Sequence, residues 1–214
     1  MLRLLKDEQK LIEFARDEFG ESITRFLLAG LGEEGEVRRW VFVVTFTDEG
    51  DRELHRSVYV EADDLMPEIP TSLPCRREPL VLLALLRLLM RGRETSPATL
   101  FYSPREILDL LGWEDSAETR LAIEEAVGRY SFLSYRWEMS AEELSAEDLT
   151  FYRSRERLIS GYGHDVESEP GEARADRVTH RVDFSPVFIE GLIDRSLFDI
   201  SWDRVLSMEI EATD

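Results

Sequence analysis

At 214 residues and 43% hydrophobic content, the chain is long enough to bury one large core or two small ones. Its 45 acidic residues outnumber 26 basic ones for a net charge of -19, the wrong sign for a surface devoted to duplex DNA, where Lys and Arg supply most non-specific affinity. The single Cys75 excludes an internal disulfide and a thiolate metal site, and points to the cytoplasm.

The N-terminus, Met1-Leu2-Arg3-Leu4-Leu5-Lys6-Asp7-Glu8, turns charged too early to be a secretion signal. Leu4, Leu5, Leu11, Ile12, Ala15 and Phe19 recur at helical spacing, which predicts an amphipathic first helix ending near Gly20. A polar, glycine-containing break at Gly32 to Glu36 reads as a loop. Arg39 to Phe46 and Arg52 to Val60 are dense in β-branched and aromatic residues. With Asp48-Glu49-Gly50-Asp51 between them they predict an antiparallel hairpin.

Pro79 to Met90 is apolar nearly all the way round, so it must be a helix buried on most faces. With Arg87 inside it, the run is also too short to cross a bilayer, which needs about 20 apolar residues, and no membrane partner is expected. Thr99 to Tyr102 is a short strand. Ser103-Pro104-Arg105-Glu106 carries the signature of a capping box and opens a helix that stops at Gly112; Ser116 caps the next. Two short helices joined by a tight turn make a helix-turn-helix pattern.

Tyr130 to Trp137 is expected to begin a β-wing and Arg177 to Phe184, alternating at period two, to return it. The stretch between turns to Ser, Glu, Asp and Gly, and its second half, Ser160 to Asp176, reads as an exposed loop or a partly disordered insertion. Pro186 to Leu192 is a further helix, and the apolar content from Phe198 to Leu206 predicts that the C-terminal segment docks. The fold class is α+β: a winged helix, helix-turn-helix plus β-wing, with an N-terminal helix and antiparallel hairpin. Residues 1–64 form the helix and hairpin on the same core; residues 65–214 form the winged helix, with a long acidic wing insertion at about 140–176.

The order of these segments carries a resemblance. Leu73-Pro74 precedes Leu80-Val81-Leu82-Leu83-Ala84-Leu85-Leu86-Arg87-Leu88; Phe101-Tyr102-Ser103-Pro104-Arg105-Glu106-Ile107-Leu108-Asp109-Leu110-Leu111-Gly112-Trp113 follows, then the helix from Leu121 to Tyr130. This resembles the plasmid replication initiator proteins of the RepA/TrfA-like, winged-helix kind, over about a third of the chain. Where that family tends to carry a small-aromatic-acidic run, this chain has Cys75-Arg76-Arg77-Glu78. The resemblance implies the first winged-helix domain of such initiators, which serves dimerisation and partner contact as well as DNA reading.

If the helix from Ser116 reads a major groove, Arg120 and Glu124 would face bases, and Arg129 and Arg136, with Arg181 on the returning strand, would lie near phosphates. The alternative is that these are surface ion pairs, such as Arg120 with Glu124. A basic patch, Arg76, Arg77, Arg87, Arg91, Arg93 and Arg105, could form a second electrostatic footprint, or pair with the abundant carboxylates. Trp40, Trp113, Trp137 and Trp202 fall at element boundaries, as rings at a core edge with the indole N–H bonded outward. His55, His164 and His180 stand apart at no ligand spacing, Gly161-Tyr162-Gly163 lacks the lysine of a phosphate loop, and no catalytic constellation appears. The expectation is a cytoplasmic non-enzyme without metal or cofactor. Its expected partner is duplex DNA in replication initiation or control, or else a protein, a second copy in a homodimer included.

Overall fold

A helix with leucine on every side can exist only where every side is covered. The computed structural model describes residues 3–35, 37–47, 53–62, 72–92, 98–139, 156–166, 178–197 and 205–213. In it that helix, α3 (Glu78–Arg91), is enclosed, with Pro79 through Leu86 and Leu89 all buried. Each fully buried leucine contributes about 1.5–3 kcal/mol, so α3 is the densest source of stability in the fold.

Around it stand α1 (Lys6–Phe19), α2 (Glu21–Leu27), α4 (Pro104–Leu111), α5 (Ala117–Ser131) and α6 (Pro186–Ile193). The strands are β1 (Arg39–Thr47), β2 (Glu53–Ala62), β3 (Thr99–Tyr102), β4 (Leu133–Met139), β5 (Glu156–Arg157), β6 (Ile159–Val166), β7 (Val178–Phe184) and β8 (Val205–Thr213). They form two antiparallel sheets, ordered β5-β4-β2-β1-β8 and β3-β7-β6. In the larger sheet alternate residues Trp40, Phe42, Val44, Val58, Val60, Leu133, Tyr135 and Met208 turn inward. Phe26 of α2 meets Phe42 with ring centroids 4.9 Å apart. In the smaller sheet Leu100, Tyr102, Val182, Phe184 and Ile159 are buried, so one apolar core runs from sheet to sheet through α3. Among the described residues no helix is long and apolar enough to cross a membrane.

The first helix, the hairpin strands, α3, β3, the capped pair α4 and α5, and α6 follow the sequence periodicities. Two expectations need correction. Tyr130 to Trp137 does not begin a wing paired with the 177–184 strand. Through Ser131 it is still α5, and β4 then joins the larger sheet, paired with β2 and β5. β7 instead lies between β3 and β6, the latter in the stretch expected to be loop. Ser160, Gly161 and Gly163 hide the alternation there, yet the ladder with β7 satisfies the backbone. A Cβ at Gly161 would stand in ordinary contact with Asp183, 3.4 Å from its carboxylate. The C-terminal docking is a strand, β8 alongside β1. The turn at 48–51, the segment 140–155, residues 167–177 and Trp202 lie outside the described residues.

One carboxylate ties the helices together. Glu8, in the first turn of α1, is fully buried. It accepts the Leu5 backbone N–H at 2.6 Å, the Trp113 indole N–H at 2.9 Å and a guanidinium N–H of Arg77, whose other arm donates to the Arg3 carbonyl at 3.0 Å. A buried charge is tolerable only when so satisfied. Arg77→Met should therefore lower stability by about 3 kcal/mol, since it strands the carboxylate, whereas Arg77→Met with Glu8→Leu should cost less than the sum of the two single changes. Urea unfolding of the four proteins measures this, and strict additivity would contradict the coupling.

Candidate nucleic-acid interface

The helix pair expected to read DNA is built by local signals. Ser103 caps α4, accepting from the Glu106 N–H while the Glu106 carboxylate accepts from the Ser103 N–H at 2.7 Å. α4 ends at Gly112 in the left-handed region, φ 67°, where a Cβ would also stand 2.8 Å from the Asp7 carboxylate. Ser116 caps α5 through Thr119.

Ile123, Ala126, Val127 and Tyr130 turn α5 inward. Ala117, Glu118, Leu121, Glu124 and Glu125 are its exposed residues, at spacings that form one face, and Leu121 stands 54% exposed among three glutamates. Arg120 is only half-exposed and turns back along the helix, donating from Nε and Nη2 to both oxygens of Asp115 at 2.6 and 2.8 Å. Those hydrogen bonds hold the Asp115 carboxyl below its usual range, with Arg105 adding to the effect. Glu124 is exposed. Burial raises the Tyr102 phenol's pKa and the nearby Glu124 charge raises it further.

The other candidates do not share this face. Arg129 points toward the start of α3, with Nε 3.0 Å from the Glu78 carboxylate and an arm on the Ser72 hydroxyl. Arg136 lies on the larger sheet, 4.4 Å above the Tyr59 ring and 3.7 Å from Glu61. Arg181 sits on the outer face of the smaller sheet, bonded to Asp183 at 3.1 Å and 6.0 Å from the ring of Phe101, itself 55% exposed.

The basic patch is likewise dispersed. Arg77 holds Glu8, and Arg87 lies over the Phe14 ring at 5.3 Å. Arg76 is exposed at φ 52°, fixed by Gly32 N–H to its carbonyl at 2.8 Å and its own N–H to the Glu33 carbonyl at 3.1 Å. Arg91 and Arg105 are exposed, and Arg93 is outside the described residues. Trp113 bonds inward to Glu8, not outward. His164 and His180, far apart in sequence, are register partners on β6 and β7, and the His180 ring lies 5.3 Å from that of Tyr102. Among the described residues no three metal-ligating side chains converge.

Sequence reading missed one cluster. On the outer face of the larger sheet Arg39, Tyr59, Glu61 and Arg136 interlock, with Arg39 Nε 2.7 Å from Glu61 and its guanidinium 6.0 Å from the Tyr59 ring. The signal was the period-two alternation of the hairpin, which puts Arg39, Tyr59 and Glu61 on the polar face; only the register adds Arg136.

The architecture is thus α+β, with two antiparallel sheets about a buried helix. No protein-family description matches the chain, and no curated protein matches it. Among solved structures it is similar to two crystal structures of RctB domains 2-3. For the selenomethionine derivatives of domain 2 and domain 3, identity is 16% and the TM-score 0.52, over 79% of this chain and 58% of that one. For the other crystal structure the values are 16% and 0.53, over 82% and 61%. At this identity the likeness is one of fold, and the chain spans less than two thirds of either.

Arg129 is the candidate whose role the geometry moves furthest from nucleic acid. Arg129→Ala should lower stability by about 2–3 kcal/mol, because it leaves the largely buried Glu78 without its cation. An unchanged urea midpoint would contradict this internal role.

Proposed function

We propose that the unit from α3 to β7 is a winged helix and that the chain acts in the cytoplasm, without catalysis, in replication initiation or its control. The order helix, strand, helix, helix, strand, strand and the sheet order β3-β7-β6 support the first part, with β4 and β5 diverted to the larger sheet between α5 and β6. The likeness to domains of RctB, a replication initiator, supports the second. The RepA/TrfA-like resemblance of Leu73 to Trp113 narrows it toward plasmid initiators.

Within that role α5 meets a protein, with a second copy of the chain as one candidate, and does not read base pairs. The face of α5 carries this reading. In the position of a recognition helix it presents Glu118, Glu124 and Glu125 around Leu121, while Arg120 is engaged by Asp115. Carboxylates facing phosphate would oppose docking, whereas a solvent-facing leucine with an acidic rim suits a protein surface.

Duplex binding tests it. Were α5 to enter a groove, the triple change Glu118→Gln, Glu124→Gln, Glu125→Gln would remove three repulsions and raise duplex affinity at low salt. The expected result is affinity within about twofold of the parent; a gain of about tenfold or more would overturn the reading.

A further inference from the structure

Among the described residues β8 closes the larger sheet, paired with β1 on one side and with no strand on the other. It is nine residues long, and from Leu206 to Ala212 only Met208 is buried. In an antiparallel strand the backbone groups of successive residues point alternately toward the neighbour and away from it. The Arg25 guanidinium of α2 donates to the Met208 carbonyl at 3.1 Å, which marks Met208 as a residue whose groups point away from β1. The other side of β1 gives the same parity. There the Ala62 N–H donates to the Arg38 carbonyl, so the even-numbered residues of β1 bond to β2 and the odd-numbered ones to Ser207, Glu209 and Glu211. The N–H and C=O of Ile210 and Ala212 therefore face outward along the edge. Their side chains share the inner face with Met208, and Ile210 is 40% exposed there. Glu209 and Glu211 are exposed on the opposite face, in register with Val43 and Val41; Arg39, two residues along β1 from Val41, is held by Glu61 at 2.7 Å.

We propose that this edge takes an added strand, an extended segment of another protein in which apolar and basic residues alternate. An antiparallel segment laid along β8 would bond to the outward groups of Ile210 and Ala212, and its side chains would sort by parity. Those opposite Ile210 and Ala212 fall on the inner face beside apolar surface. Those opposite Glu209 and Glu211 fall on the outer face, where cross-strand partners of opposite charge attract and like charges repel. A second copy of β8 has the wrong charges for this. Pairing about a two-fold at Glu209 sets that residue against itself, at Ile210 sets Glu209 against Glu211, and at Glu211 sets that residue against itself. A two-fold at Met208 would need the carbonyl that Arg25 occupies. Arg25 and the two glutamates thus guard the edge against self-pairing, as charges on edge strands do, and the same glutamates select a basic partner. Nothing in this depends on the α5 face.

The test uses the full chain and fluorescence anisotropy with a short labelled peptide in which valine and lysine alternate. Its control has the same composition with the valines and lysines in separate blocks. The alternating peptide should bind about fivefold more tightly or better, since the control offers the charge without the two faces. Ala212→Pro removes an outward N–H and leaves the ladder to β1 in place, as proline on an edge strand can, and should weaken the alternating peptide about fivefold. Glu209→Lys with Glu211→Lys should abolish its binding and confer binding of a peptide that alternates valine with glutamate. Unchanged circular dichroism would verify the fold of each variant. No binding of the alternating peptide, binding equal to that of the control, or binding that neither variant alters would overturn the proposal. So would dimerisation of the parent in sedimentation that Ala212→Pro abolishes, since a second copy would then hold the edge. The triple glutamine variant of α5 should bind the peptide as the parent does, which separates failure at the edge from failure of the α5 reading.

Discussion

The structure depends on the burial of one carboxylate. Glu8 belongs to α1, Arg77 leads into α3 and Trp113 follows α4, so a single side chain fixes three helices that share no local sequence. Were Glu8 merely a first-turn residue favoured by the helix dipole, it would be worth a few tenths of a kcal/mol to about 1. Buried, it is worth far more when paired than when its partner is lost, and this asymmetry specifies the docking of α1 more sharply than apolar contact alone. Gly112 serves the same junction: at φ 67° it turns the chain from α4 toward α5 in the left-handed region that favours glycine, close against Asp7.

The same constraint explains where the arginines went. In a chain with 45 acidic residues, an arginine near the surface meets a carboxylate before it meets a phosphate. Arg77 finds Glu8, Arg120 finds Asp115, Arg129 finds Glu78 and Arg181 finds Asp183. Each pair is local to its own junction, so charges that look like a patch in sequence are distributed through the structure as clasps. The exposed pairs add little stability, but they fix where charge is presented.

Much of the fold was legible because its signals are local. The uniform leucine content of α3, the Ser103 and Ser116 caps and the alternation in β1 and β2 each follow from one stretch of chain. What was not legible depended on pairing. β6 is written with glycine and serine and becomes a strand only because β7 supplies its ladder; β4 has an ordinary strand sequence but nothing in it says which sheet it joins. The candidate interface failed the reader in the same way. Arg120 and Arg129 share a helix, yet nine residues of twist separate them, and a tertiary partner, Glu78, claims one of them. Arg39 and Arg136 are remote in sequence, and strand register alone brings both to the Tyr59 ring.

The diversion of β4 has a consequence for how the chain can work. α5 ends at Ser131 and β4 begins at Leu133, so the acidic helix and the strand that carries Arg136 are joined by a single residue, Phe132. Tyr130, at the end of α5, lies with Leu133, Val60 and Trp40 around one small void in the core. The helix and the larger sheet are therefore held by the same packing and cannot reorient separately at small cost. The face of α5 is thus presented in a fixed relation to the larger sheet.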